Sequence, residues 1–224
     1  RMGDRGSRVL RGQRKTKLVR NAQRALSLRK QAAAMAPVLG QDVTTPLAYL
    51  QELWDLLGDG RSLVDGQTRT LLLLQCLSRY ANRTEARLRP SVATANLLAS
   101  FVARYAGLPG FDQALGPAFL QGKALAREQR EVMDVLASYI QALSRQGLIE
   151  PGSAARILRE DGVVASVQAE EALFQIPAVH QWLTSSGVAI PDPAGVERPS
   201  HPVGFRFTFT TGETSLVRAL REEI

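Results

Sequence analysis

The residues most able to do chemistry sit near the start of the chain. Gly12-Gln13-Arg14-Lys15-Thr16 carries the Lys-Thr ending of a nucleotide-binding phosphate loop, in which glycines let successive N–H groups surround a phosphate. Such a loop needs Gly just before the Lys and another five residues earlier. Those places hold Arg14 and Val9, whose side chains crowd both points. A second near match, Gly116 to Lys123, has one residue too many and runs into Ala124 instead of Ser or Thr. Neither stretch makes an ATP site, and no cofactor is expected in this chain.

Other chemistries fare no better. His180 and His201 stand far apart, without carboxylates at ligand spacing, and read as surface or packing histidines. There is no Gly-x-Ser-x-Gly elbow to single out a nucleophilic serine. Glu170-Glu171 and Glu222-Glu223 are adjacent pairs that point in different directions on a helix and read as solvent-facing. Cys76, the only cysteine, falls among Leu73, Leu74 and Leu77, where a buried inert thiol is expected. A lone cysteine also excludes an internal disulfide and fits a reducing, cytoplasmic setting. The sequence therefore holds no complete active site, although a hydrolase whose residues meet only in the fold stays open.

Binding is better supplied than catalysis. Residues 1 to 30 hold eleven Lys/Arg against Asp4, a net +10, which leaves −3 for the rest of a chain of net charge +7. Any nucleic-acid contact must then rest on this segment. From about Lys15 to Met35 the spacing predicts a helix, with Leu18, Ala22, Ala25, Leu26 and Ala33 on one side and Lys17, Arg20 and Arg24 roughly opposite. That row of cations could follow a phosphate backbone with salt-dependent affinity and no base preference, or could be a solvated face. The same Arg-rich, acid-poor composition is found in organelle transit peptides.

The elements that would position such a site follow in order. Val43-Thr44 suits a short extended pair, Thr45 a helix cap and Pro46 the first helical position. Leu47, Leu50, Trp54 and Leu57 then recur at helical spacing, with Gly58 expected to end the helix in the left-handed conformation. Asp65 caps a helix whose Leu71 to Leu77 and Tyr80 are apolar around most of its surface, placing it in the middle of the core. The Asn82 to Pro90 connection is charged and expected to be exposed. Ser91 caps a further helix ending at Gly107, a long helix runs from about Lys123 to Gln146 with Gly147 closing it, and Ala154 to Arg159 continues as helix. Residues 166 to 175 read as a weaker helix, Ile176-Pro177 as a break, and Val179 to Leu183 as a short helix. Phe205, Phe207 and Phe209 alternate with Arg206 and Thr208, the clearest strand pattern, with Val43-Thr44 as one possible partner.

These elements predict a mainly α protein: an irregular multi-helix bundle with one short strand pair, or a strand near the C-terminus. The expected organisation is a basic segment and helix over 1–36, a helical domain over 37–184, an exposed connector over 185–204, and a strand plus helix over 205–224 that opens a further lobe. No apolar run is long enough to span a bilayer, so no membrane partner is expected. The start at Arg1 and the stop at Ile224 read as the ends of a fragment.

V-T-T-P-x-A-Y-L-x-E-L-W, then L-G-D-G-R-x-L-V-D and a Leu-rich helix, resembles the segment after a strand in the first motor lobe of UvrD/Rep-type superfamily 1 helicases. The resemblance is to the AddB-type (RexB-type) subunits of bacterial helicase–nucleases that process double-strand breaks. Tyr139-Ile140-Gln141-Ala142-Leu143 through Gly147-Leu148-Ile149-Glu150-Pro151, and Val203 to Phe209 with Gly212-Glu213, resemble later parts of the same family in the same order. The resemblance implies single-stranded DNA against the Thr44-Thr45 turn, a helical insertion, a helicase–nuclease partner subunit and a decayed ATP site. DNA-contacting residues would then be Lys17, Arg20, Arg24, Thr44 and Thr45, on single-stranded or double-stranded DNA. The alternative is a free-standing helical interaction module with a basic tail, in which Thr45 is an ordinary helix cap.

Overall fold

A parallel sheet lies where the sequence pattern pointed to helix. The structure, a computed structural model, describes residues 16–35, 42–82, 87–115, 127–169 and 176–191. The expectations for residues 1–15, for Gly116 to Lys123 and for the Phe205–Phe209 strand lie outside them. The described chain is mainly helical, with eight helices and five short strands.

Those residues fall into two units. One comprises the described residues of 16–60 together with those of 151–191, and the other those of 61–150. The second is thus inserted into the first. These divisions fall at 60/61 and 150/151, inside the helical domain expected over 37–184.

The first unit begins with β1 (Thr16–Leu18), α1 (Ala22–Met35), β2 (Val43–Thr44) and α2 (Pro46–Leu57). After the insertion it continues with α7 (Pro151–Glu160), β5 (Val167–Ala169) and α8 (Pro177–Ser185). The three strands form a sheet in the order β2-β1-β5, both pairings parallel. Lys17 is partnered by Val43 on one side and Gln168 on the other, and Leu18 by Thr44 and Ala169. The Lys17 N–H donates to the Asp42 carbonyl at 2.7 Å, and the Val19 N–H to that of Thr44 at 3.0 Å.

This corrects the helix expected from Lys15 to Met35. Thr16 and Val19 are β-branched and suit an extended chain, and the β1 hydrogen bonds are satisfied by two strands distant in sequence. The helix begins only after Asn21, whose side chain accepts the Arg24 N–H at 2.9 Å. Leu18 and Ala25 are buried as expected, but Ala22, Leu26 and Ala33, expected on the same side, are exposed, Leu26 by 54%, so the inner face of α1 is narrower than the spacing predicts. Residues 167–169, expected within a weak helix, form β5 for the same reason.

In α2, Leu50 and Trp54 are buried as the spacing predicts, with Tyr49 and Leu53 completing the inner face, while Leu47 and Leu57 lie toward the outside. Gly58 is not left-handed; its φ of −75° is ordinary extended backbone. A glycine is needed there because a Cβ would meet the Trp54 carbonyl oxygen at 2.5 Å and its ring at 2.6 Å. The left-handed residue of this turn is Gly60, at φ 90°. Trp182 of α8 is fully buried, stacks on Tyr49 at 6.1 Å between ring centroids, and donates its indole N–H to the Val163 carbonyl. The Tyr49 hydroxyl accepts the Ser166 N–H at 3.3 Å, and Ser186 accepts that of Ala165 at 3.0 Å. Together they place the segment that leads into β5.

The inserted unit consists of β3 (Ser62–Leu63), α3 (Gly66–Ala81), α4 (Val92–Tyr105), α5 (Pro109–Ala114), α6 (Arg127–Arg145) and β4 (Leu148–Ile149). Its core runs through Leu72, Leu73, Cys76 and Leu77 of α3, Leu98 and Val102 of α4, and Val132, Leu136, Tyr139 and Leu143 of α6. The caps fall where expected: Asp65 accepts the Gln67 and Thr68 N–H groups, Ser91 accepts that of Thr94, and Gly107 and Gly147 take φ of 84° and 65°. β3 and β4 pair in parallel between the two ends of α3 to α6. The connection before α4 is held from inside: Glu131, 3% exposed, accepts the backbone N–H groups of Arg87 and Leu88 at 3.0 and 2.9 Å.

Candidate functional site

In a parallel sheet every strand ends on the same side, and the helices that follow start there. The carboxyl ends of β1 and β2 accordingly bring the starts of α1 and α2 together. A crevice of about 310 Å³ opens at this edge, lined by Arg20, Asn21 and Ala22 after β1, Thr45, Pro46 and Leu47 after β2, and Ile176, Val179, His180 and Leu183 of α8. Open α/β sheets commonly bind ligands outside the carboxyl ends of their strands, where neighbouring connections run in opposite directions. Here β1 has β2 on one side and β5 on the other, which is such a place.

The two helix starts give the crevice a positive rim. Thr45 is extended, accepts the Ala48 N–H on Oγ1 at 3.2 Å and is followed by Pro46, whose lack of an N–H costs nothing there. Asn21 caps α1 in the same manner. First-turn N–H groups carry a partial positive charge that favours an anion, and the Arg20 guanidinium adds a full one. Opposite, Leu47, Ile176, Val179 and Leu183 provide an apolar wall. The arrangement suits a ligand with an anionic group and an apolar body, as in a nucleotide unit.

Of the five residues expected to contact DNA, Arg20 and Thr45 line this crevice together. Lys17 does not join them. It lies half-buried in the central strand, so Lys17, Arg20 and Arg24 are not a row on one helix. Arg24 is exposed in the first turn of α1 and outside the lining. Thr44 is only 4% exposed and closes β2 against β1, and its neighbour Thr45 carries the helix cap. Asn21 lines the crevice without being singled out by the sequence pattern, and His180, read there as a surface or packing histidine, lines it as well. Asn21 before an apolar-periodic stretch has the type of a helix cap and could have been recognised; His180 reaches the crevice only through the packing of α8.

Elsewhere, burial keeps Cys76, Tyr49 and Tyr139 neutral. Burial pushes the Cys76 thiol up, away from the nucleophilic thiolate. Desolvation likewise raises Tyr49 and, with the adjacent Glu150 carboxylate, raises Tyr139 far enough that it stays a neutral hydrogen-bond donor. Among the described residues no group of His, Cys, Asp and Glu has the makings of a metal site, and no helix is long and apolar enough to cross a membrane. No known protein family, characterised protein or solved structure matches this chain.

Proposed function

We propose that this chain is a region of an AddB-type helicase–nuclease subunit acting in double-strand-break repair, which holds single-stranded DNA and packs against a partner subunit without itself being catalytic. The observation that carries the proposal is the meeting of Arg20 and Thr45 at one crevice. They are 25 positions apart and stand out by separate features, the basic segment and the Thr-Thr-Pro turn. The crevice rim would take a backbone phosphate and the apolar wall a sugar or base. The helical unit inserted after α2 is in keeping with the helical insertion that the family resemblance implies.

Titration of a labelled single-stranded oligonucleotide at two salt concentrations tests the assignment. Binding should weaken as salt rises, and Arg20→Glu should lower affinity for all sequences and flatten the salt slope by about 0.7 for each phosphate that is no longer neutralised. Thr45→Asn keeps a capping side chain and should change affinity without changing stability. Absence of binding at low salt, or an unchanged affinity in Arg20→Glu, would rule the crevice out as a DNA site and favour a helical interaction module.

A further inference from the structure

The helical unit is entered through β3 and left through β4, and these two strands are only two residues long each. Ser62 is partnered by Leu148 and Leu63 by Ile149, with the Ser62 N–H on the Gly147 carbonyl and the Val64 N–H on that of Ile149, both at 2.9 Å. A slip of one residue would send each side chain to the opposite face. Apolar character does not prevent it, because Leu63-Val64 and Leu148-Ile149 are apolar in succession and a slip would exchange one aliphatic side chain for another.

A charged residue adjoins this run. Glu150 directly follows β4, and its side chain is 1% exposed. Arg69, in the first turn of α3 and 10% exposed, donates Nε to both carboxylate oxygens at 3.0 and 3.2 Å and Nη2 to Oε2 at 2.8 Å. The Tyr139 hydroxyl of α6 donates to Oε1. Two helices of one core thus hold a single carboxylate from two directions. A buried ion pair is a poor stabiliser, since removing both charges from water offsets most of their attraction. What it does supply is directionality: a carboxylate displaced by one residue would leave a buried guanidinium unpaired.

We propose that the Arg69–Glu150–Tyr139 cluster is a register lock on the two-strand neck of the helical unit, fixing which residues of β3 and β4 lie side by side. Its contribution is to the choice of pairing more than to stability.

Cysteine cross-linking in the full chain distinguishes the two roles. With Cys76→Ala removing the natural thiol, Ser62→Cys with Leu148→Cys reports the native register, and Leu63→Cys with Leu148→Cys reports a slip, because residues offset by one face opposite sides. With the lock intact only the first pair should oxidise. In the apolar variant Arg69→Met, Tyr139→Phe, Glu150→Leu, the second pair should also form while the melting temperature is kept or raised. The native cross-link alone in that variant would overturn the proposal. Should the triple variant fail to fold, Glu150→Gln decides: exchange of the Ser62 and Val64 amides should speed up by a larger factor than that of amides in the middle of α4, and an equal factor at both places would overturn it.

Discussion

The two units solve the same problem of ordering a chain by different means. In the α/β unit, strands of two or three residues are joined by partners far apart in sequence, and side chains from outside the sheet, such as Tyr49, Trp182 and Ser186, hold its connections. In the helical unit α3, α4 and α6 are long and amphipathic, and the non-local work falls to the β3–β4 pairing and to buried carboxylates, Glu131 and Glu150. The difference places the candidate binding site. Parallel strand ends leave helix starts and a gap between them, whereas in the helical core the buried carboxylates Glu131 and Glu150 are engaged in fastening it.

If the two regions are separate units, damage to one should spare the other. Trp182→Ala removes a fully buried ring, its stack on Tyr49 and its bond to Val163, and should cost the α/β unit about 3–5 kcal/mol. Hydrogen exchange should show protection lost over 16–60 and 151–191 and kept over 61–150. Uniform loss across the chain would break the comparison.

Two glycines of one turn sharpen it. Gly58→Ala drives a Cβ into the Trp54 backbone and ring, and should cost about 1–3 kcal/mol by thermal or chemical unfolding. Gly60→Ala meets open space and carries only the penalty of a positive φ, about 1–2 kcal/mol, so the first should be the more harmful. Below that, Thr45→Ala removes the α2 cap for a loss of about 1 kcal/mol, confined to the α/β unit, while Thr45→Asn should restore it.

The smallest effect is one of pH. Hydrogen bonds from the Thr68 backbone and hydroxyl, with that of Gln67, hold the exposed Asp65 carboxyl below its ordinary value of 3.8. A depressed folded value means the stabilisation is present above the unfolded value and is lost as pH falls through the folded one. The helical unit of the parent chain should therefore lose melting temperature at acid pH with a slightly steeper slope than Asp65→Asn, and the two should run parallel above pH of about 5.

How much could be read from sequence follows the same division. Asp65, Ser91, Gly107 and Gly147 mark helix ends by their own chemistry, and the mainly α class is legible from period and composition, but α3, read as apolar around most of its surface, keeps Leu71 60% exposed and gives the core one face beside those of α4 and α6. β1 and β5 were not. Thr16 to Leu18 continues into a helix whose period could be extended backward through it, and only pairing with residues 43–44 and 167–169 decides that it is a strand. The same blindness split the site. Arg20 and Thr45 are visible as a cation and a cap, but the helical period takes in Lys17, which belongs to a strand, and His180 enters from a part of the chain that no local pattern connects to the basic segment. Gly58 looked like a left-handed stop, and its reason is instead a close approach to Trp54 that no spacing rule contains.

The pairing of β3 with β4 carries a consequence for how such a chain could change over time. Neighbouring strands lie about 4.8 Å apart, so the ninety-residue excursion from Arg61 to Glu150 departs and returns at almost one point. Because the two strands run in the same direction, the excursion is a crossover connection and not a hairpin turn, with its entry and exit fixed and its length free. Helices could be added to it, shortened or exchanged for another bundle with no adjustment in the host, provided that the junction at Ser62 and Leu148 is preserved.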